Sequence, residues 1–316
     1  MQNAIDGYYH DQCNVSQQQN YITSNYHTIP GMSTMEYPGY FLLEDNTAPI
    51  SLDHKLFRGF PTKNKGCNDN TSLLIGVIST PSEFSVRSKI RRTFLGQMDK
   101  TKMIFLLGST SSPKTDFCVM EEEQKHGDIL KLNILEDYRN LTLKTYGLIS
   151  YADKYCKNVK CVVKMDSDVE GNVEKLEDLC QSVPDNEQMI TGHIYKNISV
   201  ARNISSKWYV PHYVYSDNIY RTFTHGPIYV FSGYGILPQM LKTVQEKTPF
   251  FNSENFRKLS EDIMFTGIVR EKAGIKIQNF KAFPINSIFQ QIFIMLQSLS
   301  QWPFKKSCNV QPPCYC

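Results

Sequence analysis

Apolar positions are scattered and without period over residues 1–70, then become dense and regular from Leu73 onward. The runs LLIGVIS from Leu73 and KMIFLLG from Lys102 have the length and continuity of strands buried on both faces. Between them, Val86, Ile90 and Phe94 recur every four residues, which predicts a helix with these on its core face. Arg87 and Arg91 share the same spacing and predict an adjoining basic face. After the acidic stretch EEEQKH, DILKLNI from Asp128 reads as a third strand. Leu141, Thr145, Leu148, Ala152 and Tyr155 then fall on one face of a helix, and CVVKM from Cys161 reads as a fourth strand. Strands alternating with helices predict an α/β fold with a mainly parallel central sheet and right-handed crossovers.

Composition changes the picture mainly at the ends. Residues 1–70 are rich in Gln, Asn, Tyr, Ser and Gly, the makeup of a low-order stem that buries no core by itself. The first twenty residues have neither the basic start nor the apolar run of a signal peptide, and no stretch of about 18 apolar residues occurs. The segment Ile288–Leu299 is interrupted by Gln290, Gln291, Gln297 and Ser298 and reads as amphipathic. A net charge of +3 without a basic stripe argues against a nucleic-acid partner. Nine cysteines lack CxxC or zinc-finger spacing, which speaks against a metal–sulfur site. Asn-x-Ser/Thr acceptor sites at Asn14, Asn70, Asn140, Asn197 and Asn203 suit a lumenal or secreted chain in an oxidising compartment.

Three segments carry candidate chemistry. The fourth strand runs into Asp166-Ser167-Asp168, placing two carboxylates at a strand's carboxyl end, where open α/β sheets bind ligands. Such a pair can hold Mn²⁺ or Mg²⁺ and leave coordination positions for diphosphate oxygens; alone, it also reads as a polar turn capping the next helix. Ser260-Glu261-Asp262 opens the apolar run Ile263–Val269. Ser260 is a natural N-cap, the acids suit the helix dipole, and either acid could serve as a general base. Gly226–Gly235 reads as a strand followed by a glycine–aromatic turn, which permits either a close approach to ligand or a plain chain reversal before a helix at Leu237.

Taken in order, five segments resemble the β-1,3-galactosyltransferase family, which includes N-acetylglucosaminyltransferases. Arg87 to Phe94 is similar to R-x-x-I-R-x-T-W, with Phe94 for Trp. Glu123 to Thr145, containing HGDILKLNILEDYRNLTLKT, is the longest match. Lys164 to Val169 is similar to K-x-D-D-D-(V/I), with Ser167 as the middle residue. Gly226 to Gly235 resembles a Tyr-Pro-glycine segment, with Gly226 in place of Tyr. Ser260 to Gly267 resembles E-D-V-x-x-G. The match spans about residues 72–283, so the organisation expected is a stem over 1–70, a catalytic domain over 71–283 and a divergent tail over 284–316.

The resemblance implies a GT-A glycosyltransferase fold and an inverting hexosyltransferase that moves galactose or N-acetylglucosamine from a UDP-sugar to a glycan hydroxyl, with β-1,3 linkage. It implies Asp262 as the catalytic base, Asp166 and Asp168 as ligands of Mn²⁺ or Mg²⁺, and Arg87, Arg91, Lys164 and Asp166 on the donor nucleotide. Glycoprotein or glycolipid acceptors, Golgi residence and a membrane association follow from the family, although the sequence shows no anchor. The family's late metal-site His has no counterpart, since no His follows His225, and the tail departs from the family's usual end. The alternative kept open is a weakened, glycan-binding relative. A dehalogenase-type phosphatase would need its DxD after a first strand, and a two-carboxylate glycosidase an acid placed opposite Asp262.

Overall fold

The computed structural model describes residues 66–94, 100–169, 171–248 and 258–279. Most of the expected stem, all of the expected tail and the Ile288–Leu299 segment therefore lie outside the described residues, as does the sequon at Asn14. Seven strands form one sheet in the order β3-β2-β1-β4-β6-β5-β7, where β1 is Leu73–Ile78, β2 Thr101–Ser109, β3 Ile129–Leu135, β4 Cys161–Asp166, β5 Met189–Tyr195, β6 Phe223–Ser232 and β7 Lys276–Asn279. All pairings are parallel except those of β6, which runs antiparallel to both β4 and β5. This is the mainly parallel α/β sheet expected of a GT-A fold, with one reversed strand let into it.

Every residue of β1 is buried, because helices cover both faces of the sheet. Leu73, Ile75 and Val77 point to one core, shared with Ile90 and Phe94 of helix α1 (Phe84–Phe94). Leu74 and Ile78 point to the other. That second core holds α3 (Leu141–Tyr155), whose residues Thr142–Ala152 are all buried, so the single apolar face expected from its sequence is in fact a buried surface all round. The remaining helices are α2 (Pro113–His126), α4 (Val173–Ser182) and α5 (Ile236–Lys247).

The acidic stretch before β3 is the end of α2, capped by Ser112 and begun by a proline, with Glu123 buried. In addition, Arg87 and Arg91 present no basic face to solvent: Arg87 is fully buried and Arg91 is nearly so, both paired with Glu122 of α2. The sequon at Asn140 is likewise closed, since this side chain is buried and its amide donates to Leu135 O at 2.7 Å. Those at Asn70, Asn197 and Asn203 are exposed. Disulfides join Cys67 to Cys156 and Cys161 to Cys180, so the chain is anchored to the domain from Cys67 onward.

Candidate active site

The carboxyl ends of β1 and β4 lie side by side, with Ile78 paired to Asp166 and the Ser167 N–H donating to Ile78 O at 3.1 Å. At this edge lies a cavity of about 250 Å³, lined by Ile78, Ser79, Thr80 and Glu83 from the first crossover, Glu136, Asp137, Tyr138, Leu141 and Lys144 from the β3–α3 connection, and Ser167. Glu83 organises its rim: Oε2 accepts from Ser79 Oγ at 2.8 Å, Thr80 N at 2.9 Å and Ser167 Oγ at 3.0 Å. A hydroxyl at position 167 is therefore matched to Glu83, where the family's middle Asp would face a second carboxylate. Lys144 is buried at the cavity wall and donates to Ser79 O at 2.8 Å and Glu136 Oε1 at 2.6 Å.

Beside this cavity, one ammonium ties three elements together. The Lys164 side chain is 1% exposed and donates to Asp166 Oδ1 at 2.6 Å, Glu261 Oε1 at 2.8 Å and Gly226 O at 2.7 Å, which uses all three of its N–H groups. Burial alone would depress its proton affinity, but Asp166 and Glu261 outweigh that and hold it raised and charged. Glu261 is buried, and its second oxygen accepts from the Tyr229 hydroxyl and, at 3.4 Å, from Thr145. The carbonyl of Gly226 is available because the β5–β6 ladder breaks there: pairing shifts between Gly192 and Ile194, and the extra residues bulge toward the acids.

Asp262 stands next to Glu261 at the start of a helix whose Ile263–Val269 portion is π-helical, a local expansion that recurs at functional sites. Its Oδ1 accepts from Ile263 N at 2.8 Å, while Ser260 contributes its carbonyl, accepting from Met264 N at 3.0 Å. The second oxygen lies so close to Gly226 that a Cβ there would sit 3.1 Å from it. Burial, and then the charge of Glu261, push the Asp262 carboxyl up to about 7, while the Ile263 N–H and Lys164 pull the other way. Burial also pushes Asp166 up to about 6, against the pull of Lys164. His225, on the bulge, is pushed down to about 4 by burial, then by His193 and Lys164, and is a neutral imidazole.

Thus Lys164, Asp166 and Asp262 converge on one site, and Asp168, two residues beyond Asp166, is exposed. Arg87 and Arg91 do not join them. The Arg87 guanidinium is spent on Glu122 (2.6–3.1 Å), Ser79 Oγ, and the carbonyls of Thr80 and Pro81; Arg91 is spent on Asp128 and Glu122. In place of the donor contact expected, Arg87 holds the loop that forms the cavity rim. The reading of single motifs named Glu261 only as a candidate base and overlooked its bond to Lys164, together with Glu83, Tyr229 and the bulge at Gly226, as well as the cavity residues Asp137, Tyr138 and Lys144. The last three lie within the longest family-like segment, which was the available signal.

The donor set suits a hard divalent ion. Asp168 takes no hydrogen bond or ion pair among the described residues, and Asp166 is partly exposed with its Oδ1 turned to Lys164. No group of three or more His, Cys, Asp or Glu converges among the described residues.

A model of the family described as Galactosyltransferase matches residues 85–281, over half of the chain. Beta-1,3-galactosyltransferase 5 of Pan paniscus is 32% identical over 218 residues, covering 67% of this chain and 68% of that protein. The Homo sapiens protein of the same name is 31% identical over 216 residues (67% and 66%), and beta-1,3-galactosyltransferase 1 of Mus musculus is 31% identical over 216 residues (66% and 63%). The apo structure of the WbbM bifunctional glycosyltransferase covers 72% of this chain and 44% of its own at 10% identity with a TM-score of 0.33, a weak likeness that adds nothing to the family match.

Proposed function

The chain belongs to the galactosyltransferase family and is a hexosyltransferase that uses a UDP-sugar, and from that premise we propose that it moves galactose or N-acetylglucosamine to a glycan hydroxyl with inversion, Asp262 acting as base. One observation carries this reading: a carboxylate whose proton affinity lies near neutral, fixed at a helix start, shares a site with the acids that end β4. A general base works best when its pKa lies near the working pH. In the reaction the acceptor hydroxyl gives its proton to Asp262. Its oxygen bonds the anomeric carbon on the face opposite UDP, and the bond from that carbon to the phosphate oxygen breaks with its electron pair going to UDP.

Asp168 and Asp166 would hold Mn²⁺ or Mg²⁺, which when bound offsets charge on the diphosphate. Lys164 keeps Asp166 and Glu261 at fixed separation, so the nucleotide end and the base end of the site form one unit. Arg87 acts one layer back, holding Thr80 and Pro81 at the cavity rim. The cavity at the β1 and β4 ends suits the nucleotide, as open α/β sheets bind ligands at that edge. The catalytic domain corresponds to residues 71–283, preceded by a stem. Disulfides and exposed sequons support lumenal, Golgi-type residence. Among the described residues no helix is long and apolar enough to cross a membrane, and membrane association rests on the family alone.

The test is UDP release by the full chain with Mn²⁺ over a panel of UDP-sugars and simple glycosides, beside Asp168→Ala and Asp262→Asn. Turnover with one donor, lost in both variants, is the expected result. UDP binding without turnover on any acceptor would instead favour a binding-only relative.

A further inference from the structure

Asp168 makes no hydrogen bond or ion pair among the described residues, so its direction is inherited from the turn that carries it. That turn is closed by Val169 N–H donating to Asp166 O at 3.2 Å, with Ser167 and Asp168 as its two central residues. Ser167 is the corner that is fastened. Its N–H donates to Ile78 O at 3.1 Å, and its hydroxyl donates to Glu83 Oε2 at 3.0 Å. The same oxygen of Glu83 accepts from Ser79 Oγ at 2.8 Å and Thr80 N at 2.9 Å. One carboxylate oxygen thus gathers donors from the turn after β1 and from the turn after β4. The turn after β1 is anchored from behind in its own right: Arg87 donates to Ser79 Oγ at 3.2 Å and to Thr80 O at 2.5 Å, and Lys144 donates to Ser79 O at 2.8 Å.

The residue type at position 167 follows from this arrangement. Glu83 lines the cavity at the edge that suits a diphosphate, and a carboxylate facing that anion opposes it unless its charge is engaged elsewhere. Three donors on Oε2 engage it. The third of them comes from Ser167, at the position where the resembling motif carries Asp. A carboxylate there would offer Glu83 no donor and would set a second negative charge within about 3–4 Å of the first. A hydroxyl at 167 and a carboxylate at 83 are therefore matched across 84 positions of sequence, and changing either one alone breaks the match.

We propose that Glu83 and Ser167 are a positioning pair that holds Asp168 in place for a divalent cation bound with UDP. This rests on the transferase reading above, but the readout needs no acceptor and no turnover: Mn²⁺ affinity of the full chain at saturating UDP, followed by loss of the free-ion Mn²⁺ EPR signal. Ser167→Ala is expected to weaken Mn²⁺ binding about three- to tenfold with Tm little changed, and Ser167→Asp about tenfold or more. Adding Glu83→Gln to Ser167→Asp places an amide donor opposite the new carboxylate and restores the wild-type charge, and should recover most of the loss. A hydroxyl that served the fold alone would move Tm and give no such recovery in Mn²⁺ affinity. Unchanged affinity in Ser167→Ala, a double variant no better than Ser167→Asp, or a wild type that binds no Mn²⁺ with UDP overturns the pair, and turnover by the wild type would then leave the transferase reading standing. Recovery in the double variant, in a chain that transfers to no acceptor, would keep the pair and remove that reading.

Discussion

Asp262→Asn should make the protein more stable above neutral pH while abolishing transfer. In the folded chain burial and Glu261 raise the Asp262 carboxyl from 3.8 to about 7. The unfolded chain therefore ionises this group first, and folding stability falls as pH rises from about 4 to about 7, with the full cost present above that. At about 1.4 kcal/mol per tenfold change in proton affinity the rise corresponds to roughly 4 kcal/mol, and solvent at the partly exposed carboxyl reduces it to roughly 2–4 kcal/mol. Asn keeps an oxygen for the Ile263 N–H and carries no charge, so the variant escapes the cost. For a domain of this size the gain is on the order of 5–10 °C in Tm at pH 8 and close to zero at pH 4. Calorimetry of wild type and variant across that range measures the gap directly, and UDP binding by titration verifies that the nucleotide end is intact. The same carboxyl predicts that wild-type kcat/KM climbs with pH through an apparent pKa near 7. A gap between the two proteins that does not widen from pH 4 to 8 would refute the reasoning, because the carboxylate would then not be strained in the fold.

Three further outcomes follow from the same geometry. Lys164→Met leaves Asp166, Glu261 and the Gly226 carbonyl facing one another without their shared cation, and should cost roughly 3–5 kcal/mol in urea unfolding. Gly226→Ala puts a methyl 3.1 Å from the Asp262 carboxylate and should lower kcat by about ten- to a hundredfold while the UDP-sugar KM moves little, read from steady-state kinetics. Arg87→Lys cannot replace a guanidinium that serves Glu122 and two carbonyls at once; a loss of about 3 kcal/mol in stability is expected, with a raised UDP-sugar KM as the Ser79–Pro81 rim loosens.

The strands were legible because buried parallel strands are apolar without interruption, and β1, β2, β3 and β4 lie where their runs predict. Helix α3 was legible in position but not in environment, since a face drawn from five residues gives no hint that Lys144 and Ser150 on its other sides are buried too. Arg87 and Arg91 show where pattern reading fails. A four-residue arginine stripe is the same in sequence whether it faces water or a pair of acids 31 to 37 positions away, and only the packing of α1 against α2 decides. The DxD and the Glu261-Asp262 pair were visible as residues, but their joining through Lys164 depends on a bulge in β6 and on a π-helical turn, neither of which has a sequence period.

The central claim is inverting transfer with Asp262 as base, and the anomeric configuration of the product tests it most directly. UDP-α-galactose or UDP-α-N-acetylglucosamine is incubated with the full chain, Mn²⁺ and the methyl glycoside that supports turnover, and the new linkage is read by proton NMR. Single displacement on the face opposite UDP predicts a β-linked product, absent with Asp262→Asn. An α-linked product, or undiminished transfer by Asp262→Asn, would contradict the account.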